Sequence, residues 1–286
     1  MCVSETFLSR GLDPMVTFNP ICVQQDTQLD ALLERLYTTG FHHWPVIDAE
    51  RTLIGIVSDH DIVRAAIERE AAAEVFDTPR DTLRLAVKDF MRHPVITIEA
   101  DGTGDDVLDH FLQHGFHSLP VIKDGCLMGM ITSTDFIREF AYSQHPAKDI
   151  PIGDIYDRLP HLVDAEMLLD DLRIELILNE ATYCLVTQGD CMLGVLSERD
   201  VRRHKCRAMT RRLYEGSEEK PVRAVEMLNS SSCIPATTTL GEVAHVMHEQ
   251  HVTAAMVCSR GDDPSGVISL NQILGHLANF EAAETV

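Results

Sequence analysis

Three stretches place a hydroxyl three residues ahead of a carboxylate: Ser58-Asp-His-Asp61, Thr132-Ser-Thr-Asp135 and Ser197-Glu-Arg-Asp200. Each follows a glycine and two apolar residues and runs into a helix-like segment. The motif therefore sits where a strand gives way to a helix. The first N–H groups of a helix have no intrahelical partner, and with the helix dipole they favour an anion such as phosphate. A hydroxyl at the first position can donate to a phosphate oxygen. An ionised Asp one turn on only accepts, so it suits the two hydroxyls of a ribose, as acidic residues do in dinucleotide folds. The same spacing also makes a helix N-terminal capping box. A fourth stretch, Ser269-Leu-Asn-Gln272, keeps the cap but lacks the carboxylate. It predicts a helix start without the ribose contact.

The glycines ahead of these motifs are Gly55, Gly129, Gly194 and Gly266, spaced by 65–74 residues. Such self-similarity is the signature of repeated supersecondary units. The same grammar surrounds each glycine. A Pro-announced strand (Asn19-Pro20, His93-Pro94, Leu159-Pro160) leads to an amphipathic stripe such as Leu29, Leu32, Leu33, Leu36. A hairpin follows, with Trp44-Pro45-Val46-Ile47 or Leu119-Pro120-Val121-Ile122 as its first strand. A second helix then follows the Ser/Thr-x-x-Asp. The expected fold class is α/β (α+β), as four β-α-β-β-α units. Expected boundaries are 1–66, a helical linker 67–86, 87–145, 146–206, a basic linker 207–221, and 222–286. Four units consume the chain and leave no segment for a catalytic domain, so no enzyme is expected.

Composition narrows the function classes. The 286 residues carry 24 Lys+Arg against 45 Asp+Glu, a net charge of -21. That disfavours broad nucleic-acid faces and docking on anionic membranes. No run approaches the ~18 apolar residues of a membrane span. The N-terminus lacks the basic and apolar blocks of a signal peptide. Eight scattered Cys without a C-x-x-C point to reduced thiols and a cytoplasmic location.

At residues 14 to 277 the repeated Pro-Val-Ile, hairpin and Gly-h-h-Ser/Thr-x-x-Asp pattern resembles the cystathionine β-synthase (CBS) domain family. The layout is similar to the γ subunit of AMP-activated protein kinase and to prokaryotic stand-alone four-motif proteins. The resemblance implies two modules of two CBS motifs each, in a pseudo-twofold, disk-like arrangement. It implies an adenosine ligand (AMP, ADP, ATP or S-adenosylmethionine) and no required cofactor. It further implies a regulatory role, with a homodimer or a regulated protein as partner. Asp61 and Asp135 would take ribose, Ser58 and Thr132 phosphate, and Ser197 with Asp200 a lesser third site. In the family a His and an Arg three and two residues before the hairpin proline reach phosphates. His42 and His117 match the His, whereas His43 and Ser118 replace the Arg. That substitution predicts a weaker, more pH-sensitive grip. Phe41 and Phe116 would flank adenine or pack in the core. Asn19 and His93, beside the strand-announcing prolines, complete the candidate set.

Other readings remain at this stage. His245, His248 and His251, or His110 and His114, have spacings that a metal could share, but no third ligand or supporting shell is visible. The repeats could equally serve as an interaction scaffold with empty clefts. Arg202, Arg203, His204, Lys205, Arg207, Arg211 and Arg212 form one basic stretch, expected as a solvated joint between units.

Overall fold

The computed structural model describes residues 7–39, 41–75, 84–216, 220–228, 233–260 and 263–284. Gly40, Gly261, Asp262 and residues 76–83, within the expected linker 67–86, lie outside them.

Four times the chain forms a short strand, a helix, a hairpin and a second helix. Copy one has β2 (Val23–Gln24), α1 (Leu29–Thr39), β3 (His43–Ile47), β4 (Leu53–Ser58) and α2 (Asp59–Val75). It is preceded by β1 (Thr17–Phe18). Copy two has β5 (Ile98–Glu99), α3 (Gly104–His114), β6 (Ser118–Lys123), β7 (Cys126–Thr132) and α4 (Ser133–Tyr142). Copy three has β8 (His161–Asp164), α5 (Leu169–Leu178), β9 (Tyr183–Gln188), β10 (Cys191–Ser197) and α6 (Glu198–Glu215). Copy four has β11 (Ile234–Pro235), α7 (Leu240–Glu249), β12 (Ala254–Arg260), β13 (Asp263–Ser269) and α8 (Leu270–Glu284). The basic segment from 207 to 215 is thus the second half of α6, not a joint.

Local chemistry sets these elements. Thr103 caps α3 by accepting from the Asp106 N–H, and Gly115 ends it at φ 64. Left-handed residues often close helices, and glycine takes that conformation most readily because it has no Cβ. Asp124 (φ 51) and Gly125 (φ 78) make the two-residue turn between β6 and β7, the backbone sign that tight hairpins require. In each sheet the short strand is parallel to the first hairpin strand: Val23 opposite Val46, Ile98 opposite Val121, Val163 opposite Val186, Ile234 opposite Val257.

Copies interlock in pairs. β1 of copy one pairs with β7 of copy two, and Arg92 ahead of copy two bridges Ile56 of copy one. In the second pair Asp157 bridges Val267. These crossings explain the repeated glycine. A Cβ on Gly55 would lie 2.4 Å from Met91 Sδ, and one on Gly129 2.9 Å from the Thr17 carbonyl oxygen. One on Gly266 would lie 2.0 Å from the Asp157 carbonyl oxygen.

Between the pairs the helices meet along two seams. α4 packs on α7 and α3 on α8, and copies two and four share one apolar core. It includes Phe136, Ile137, Phe140, Val243, Met247, Ile273 and Leu277. α6 packs on α1 and α2, but copies one and three keep separate cores.

Two expectations change here. Cys233 is paired with Cys258, so the thiols are not all free. They lie beside the parallel β11–β12 contact, 25 residues apart in sequence but neighbours across strands. Arg202, expected on a solvated joint, sits on the inner part of α6, with its Nε buried. No helix among the described residues is long and apolar enough to cross a membrane.

Candidate functional site

Hairpin register brings the candidate residues together. His43 stands opposite Ser58 and Ser118 opposite Thr132. The strand edge is tied to the helix start by backbone bonds: the Asp59 N–H donates to the His42 carbonyl (2.9 Å) and the Ser133 N–H to the His117 carbonyl (3.0 Å). Thus the pre-proline imidazoles and the Ser/Thr-x-x-Asp form one rim in copies one and two. The same register in copies three and four sets Tyr183 opposite Ser197 and Ala254 opposite Ser269. Neither provides a cation there.

All four motifs are capping boxes. Ser58 Oγ donates to Asp61 Oδ2 at 2.6 Å and accepts from the Asp61 N–H. Thr132 and Asp135 repeat this, as do Ser197 and Asp200 at 2.6 Å. In copy four Gln272 Oε1 accepts from the Ser269 N–H at 2.7 Å. The carboxylates differ in what else they hold. Asp61 is 1% exposed, and its second oxygen accepts from Arg92 Nε and Nη2 at 3.2 Å and from Arg64 at 3.4 Å. Asp135 takes Arg138 at 2.9 Å and keeps a more open edge. A ribose at Asp61 therefore has to displace Arg92, which is itself largely exposed and free to swing out.

His42 Nδ1 bonds Asp59 Oδ2 at 2.7 Å, while its Nε2 is buried with no partner among the described residues. Burial alone would raise the Asp59 carboxyl. The His42 bond and charge, the His60 N–H and the charge of Arg202 outweigh it and hold Asp59 below the usual carboxylate range. His43 keeps one edge in solvent, yet the surrounding protein removes enough water to push it down to about 4. Asp59 opposes that shift, whereas His42, Arg199 and Arg202 add to it. His117 is lowered by burial first, then by the same Arg199 and Arg202. Two imidazoles from different copies thus share two arginines from copy three.

Sequence reasoning missed Arg199 and Arg202 at this place. One signal was legible: counting from each motif's hydroxyl, Arg202 occupies the position of Val63, Ile137 and Leu274 in the other copies. Phe41 and Phe116 are exposed, not core, and remain available at the rim; Trp44 is fully buried. Asn19 and His93 are exposed ahead of their strands, away from any side-chain bond described. Arg64 and Arg138 pair with their own acids. His245 and His248 pack edge-on against Tyr142, and no group of three metal-ligating side chains comes together among the described residues. Two cavities border the second pair. One of about 310 Å³ is lined by Asp154, Tyr156, Asp157, Arg158 and Leu159. Another of about 610 Å³ lies between residues 150–155 and α8.

Comparison with known proteins agrees with this architecture. The family model described as CBS domain matches residues 12–68, 87–142 and 222–279. Copy three falls outside these matches but has the same element order. The uncharacterised protein MJ1225 of Methanocaldococcus jannaschii is 29% identical over 120 residues, 42% of this chain and 39% of that one. Its crystal structure, described as a candidate archaeal homologue of γ-AMPK, superposes with a TM-score of 0.69 at 18% identity. It covers 94% of this chain and all of that one. An uncharacterised Pyrococcus horikoshii protein gives 0.61 at 20% identity over the same shares. Inosine-5'-monophosphate dehydrogenase of Bifidobacterium longum is 33% identical over 132 residues, 46% of this chain but only 21% of the enzyme. The sequence matches therefore span well under half of these curated relatives.

Proposed function

Because the chain belongs to the CBS domain family, we propose that it is a regulatory protein that binds an adenosine compound in the clefts of its first pair of motifs. The observation that carries this reading is the shared rim. His42, His43 and His117 stand beside the Ser58 and Thr132 hydroxyls, where helices α2 and α4 begin. Asp61 and Asp135 follow one turn on, and a carboxylate there can accept from the hydroxyls of a ribose. Phe41 and Phe116 offer exposed rings for adenine. Ser197 and Asp200 make a third, lesser position, since Tyr183 replaces the imidazole opposite them. Asn19 and His93 belong to the outer edge of the proposed set.

The competing reading is an assembly scaffold with unfilled clefts, and it draws on Asp61 already being satisfied by Arg92 and Arg64. Titration calorimetry of AMP, ATP and S-adenosylmethionine separates the two. Wild type is expected to bind at least one of them, and Asp61→Asn with Asp135→Asn to lose about tenfold or more, the scale of a hydrogen bond to a charged group. Flat titrations of wild type, or full affinity in the double variant, would remove the proposal.

A further inference from the structure

The second helices of the four copies share one more position. Six residues after the motif's hydroxyl they carry Arg64, Arg138, Arg203 and Gly275. In copies one and two this arginine bonds the motif's own carboxylate, Arg64 to Asp61 at 3.4 Å and Arg138 to Asp135 at 2.9 Å. Arg138 also crosses to the other motif of its pair, where its Nη2 donates to the Pro14 carbonyl at 3.2 Å. Copy four has lost both halves of this arrangement: Gln272 replaces the carboxylate and Gly275 the guanidinium. A Cβ on Gly275 would meet nothing within 4 Å. That space belongs to the cavity of about 610 Å³ between α8 and residues 150–155. Small-molecule pockets span ~300–1,000 Å³.

The wall facing Gly275 is the counterpart of the wall that Arg138 meets. Thr17 pairs with Met130 and Asp157 with Val267, the residues just after Gly129 and Gly266. That register makes Asp154 the equivalent of Pro14, so the cavity gains an acid where the sister pair has a proline. His276 adds an Nε2 that is buried with no partner among the described residues. Burial lowers this imidazole, which keeps it neutral at pH 7 and lets one ring nitrogen accept. Ile150, Pro151 and Ile155 supply apolar surface, and Asn279 an amide at the mouth. No lysine or arginine among the described residues lines the cavity. Arg158 reaches Asp154 Oδ1 at 3.6 Å from the smaller neighbouring cavity, and both side chains are exposed and free to shift. No hairpin residue takes part, so the cavity is separate from the imidazole rim.

We infer that this cavity binds a small guanidinium compound, whose planar cation takes the place that Arg138 holds in the sister pair. The guanidinium would donate to the Asp154 carboxylate, a pairing that its fork of N–H groups suits, and to His276. An aliphatic stem would lie along Ile150, Pro151 and Ile155. The net charge of -21 attracts such a cation at long range. The site uses neither Asp61, Asp135 nor the rim, so it does not depend on the adenosine reading.

The test is calorimetry on the full chain with L-arginine, agmatine and L-citrulline, the last being the uncharged isostere of arginine. Arginine or agmatine is expected to bind wild type about tenfold or more tighter than citrulline, the scale of hydrogen bonds to a charged group. Gly275→Arg refills the cavity with the residue of the sister helices. The open space and the better helix propensity of arginine keep α8 formed. This variant should melt no lower than wild type and lose guanidinium binding. Asp154→Asn, at an exposed position, should weaken binding about tenfold. No binding to wild type, equal affinity for citrulline, or full affinity in Gly275→Arg overturns the inference. Preference for a capped peptide with one central arginine over both free compounds would place the guanidinium on a partner protein and overturn the small-molecule assignment. The variant with Asp61→Asn and Asp135→Asn should bind arginine as wild type does, so the two readings fail separately.

Discussion

Both seams between the motif pairs are made by helices, but with opposite chemistry. Along α4 and α7, Phe136, Ile137 and Phe140 meet Val243 and Met247 in one core that also takes in Phe7 and Leu8. Along α6, the corresponding positions carry Val201, Arg202 and Lys205; Val201 packs into copy three's own core, and side-chain bonds from Arg212 to Glu70 and from Tyr37 to Glu215 cross the seam. Apolar burial is non-directional and always present in water. A polar seam holds only while its partners are in place. A protein built with one of each has a fixed side and a conditional side; Ser58 and Asp61 sit at the start of α2 on the conditional one, Thr132 and Asp135 at the start of α4 on the fixed one.

The largest effect is expected from the fixed side. Phe140→Ala deletes a fully buried ring that packs against Phe7 at 5.9 Å, and should cost about 3–5 kcal/mol in urea unfolding. Its counterpart in α6 is Lys205, paired at 2.6 Å with the exposed Asp170 of α5 in its own motif rather than with a residue across the seam. Lys205→Ala should stay within about 0.5 kcal/mol of wild type. Equal losses would mean the two seams are energetically alike.

The conditional side should respond in the opposite direction. Arg202→Leu removes a buried unbonded Nε and should stabilise the protein by about 1–3 kcal/mol. A loss instead of a gain would show that Arg202 is already satisfied.

Acid comes next. His43 is pushed from 6.5 to about 4 and His117 is also lowered, so both are neutral in the folded protein where the unfolded chain begins to protonate. Between these values the unfolded state binds more protons, and stability rises with pH there. Their contribution is therefore complete above about pH 6.5 and is lost as pH falls toward 4. Hydrogen-exchange protection factors, compared at pH 7 and pH 5, should fall in α6 and α2 before α4 and α7. Bound phosphate reverses the sign for the ligand: it favours the charged imidazoles, so binding should take up protons and tighten on acidification. Calorimetry in two buffers of different ionisation enthalpy reads that uptake directly.

Much of this architecture was legible in the residues. Gly55, Gly129, Gly194 and Gly266 revealed the repeat, and at each a Cβ would crowd a residue of the partner motif: Met91, Thr17, Leu228 and Asp157 respectively. Capping boxes were legible because their bonds close within three residues. What stayed hidden depends on contacts far apart in the chain. Asp61 is held by Arg92, 31 residues on, and Cys233 meets Cys258 only through the pairing of β11 with β12. Arg202 was read as part of a solvated joint, and Arg199 was not singled out, because periodicity reports a helix's own face, not which neighbour it meets. The aliphatic residues at the three sister positions were the available clue.

The smallest effect concerns the far end of the conditional seam. Arg212 Nη2 lies 2.5 Å from Glu70 Oε2, with the arginine side chain 43% exposed. Exposed pairs contribute about 0–1 kcal/mol, and salt screens them. Arg212→Ala should therefore change global stability by less than about 1 kcal/mol. Its signature is local: exchange in the last turns of α6 and α2 should quicken at low salt and converge with wild type near 1 M, where the Debye length is only about 3 Å. The matching change on the fixed side is Tyr142→Phe, which removes the hydroxyl bond to Glu249 across the α4–α7 contact. There exchange should not change with salt, because the core beneath holds the helices together with or without that bond. If both variants respond alike, the apolar core does not set the two seams apart at their ends, and the conditional behaviour is confined to the arginine cluster at the start of α6.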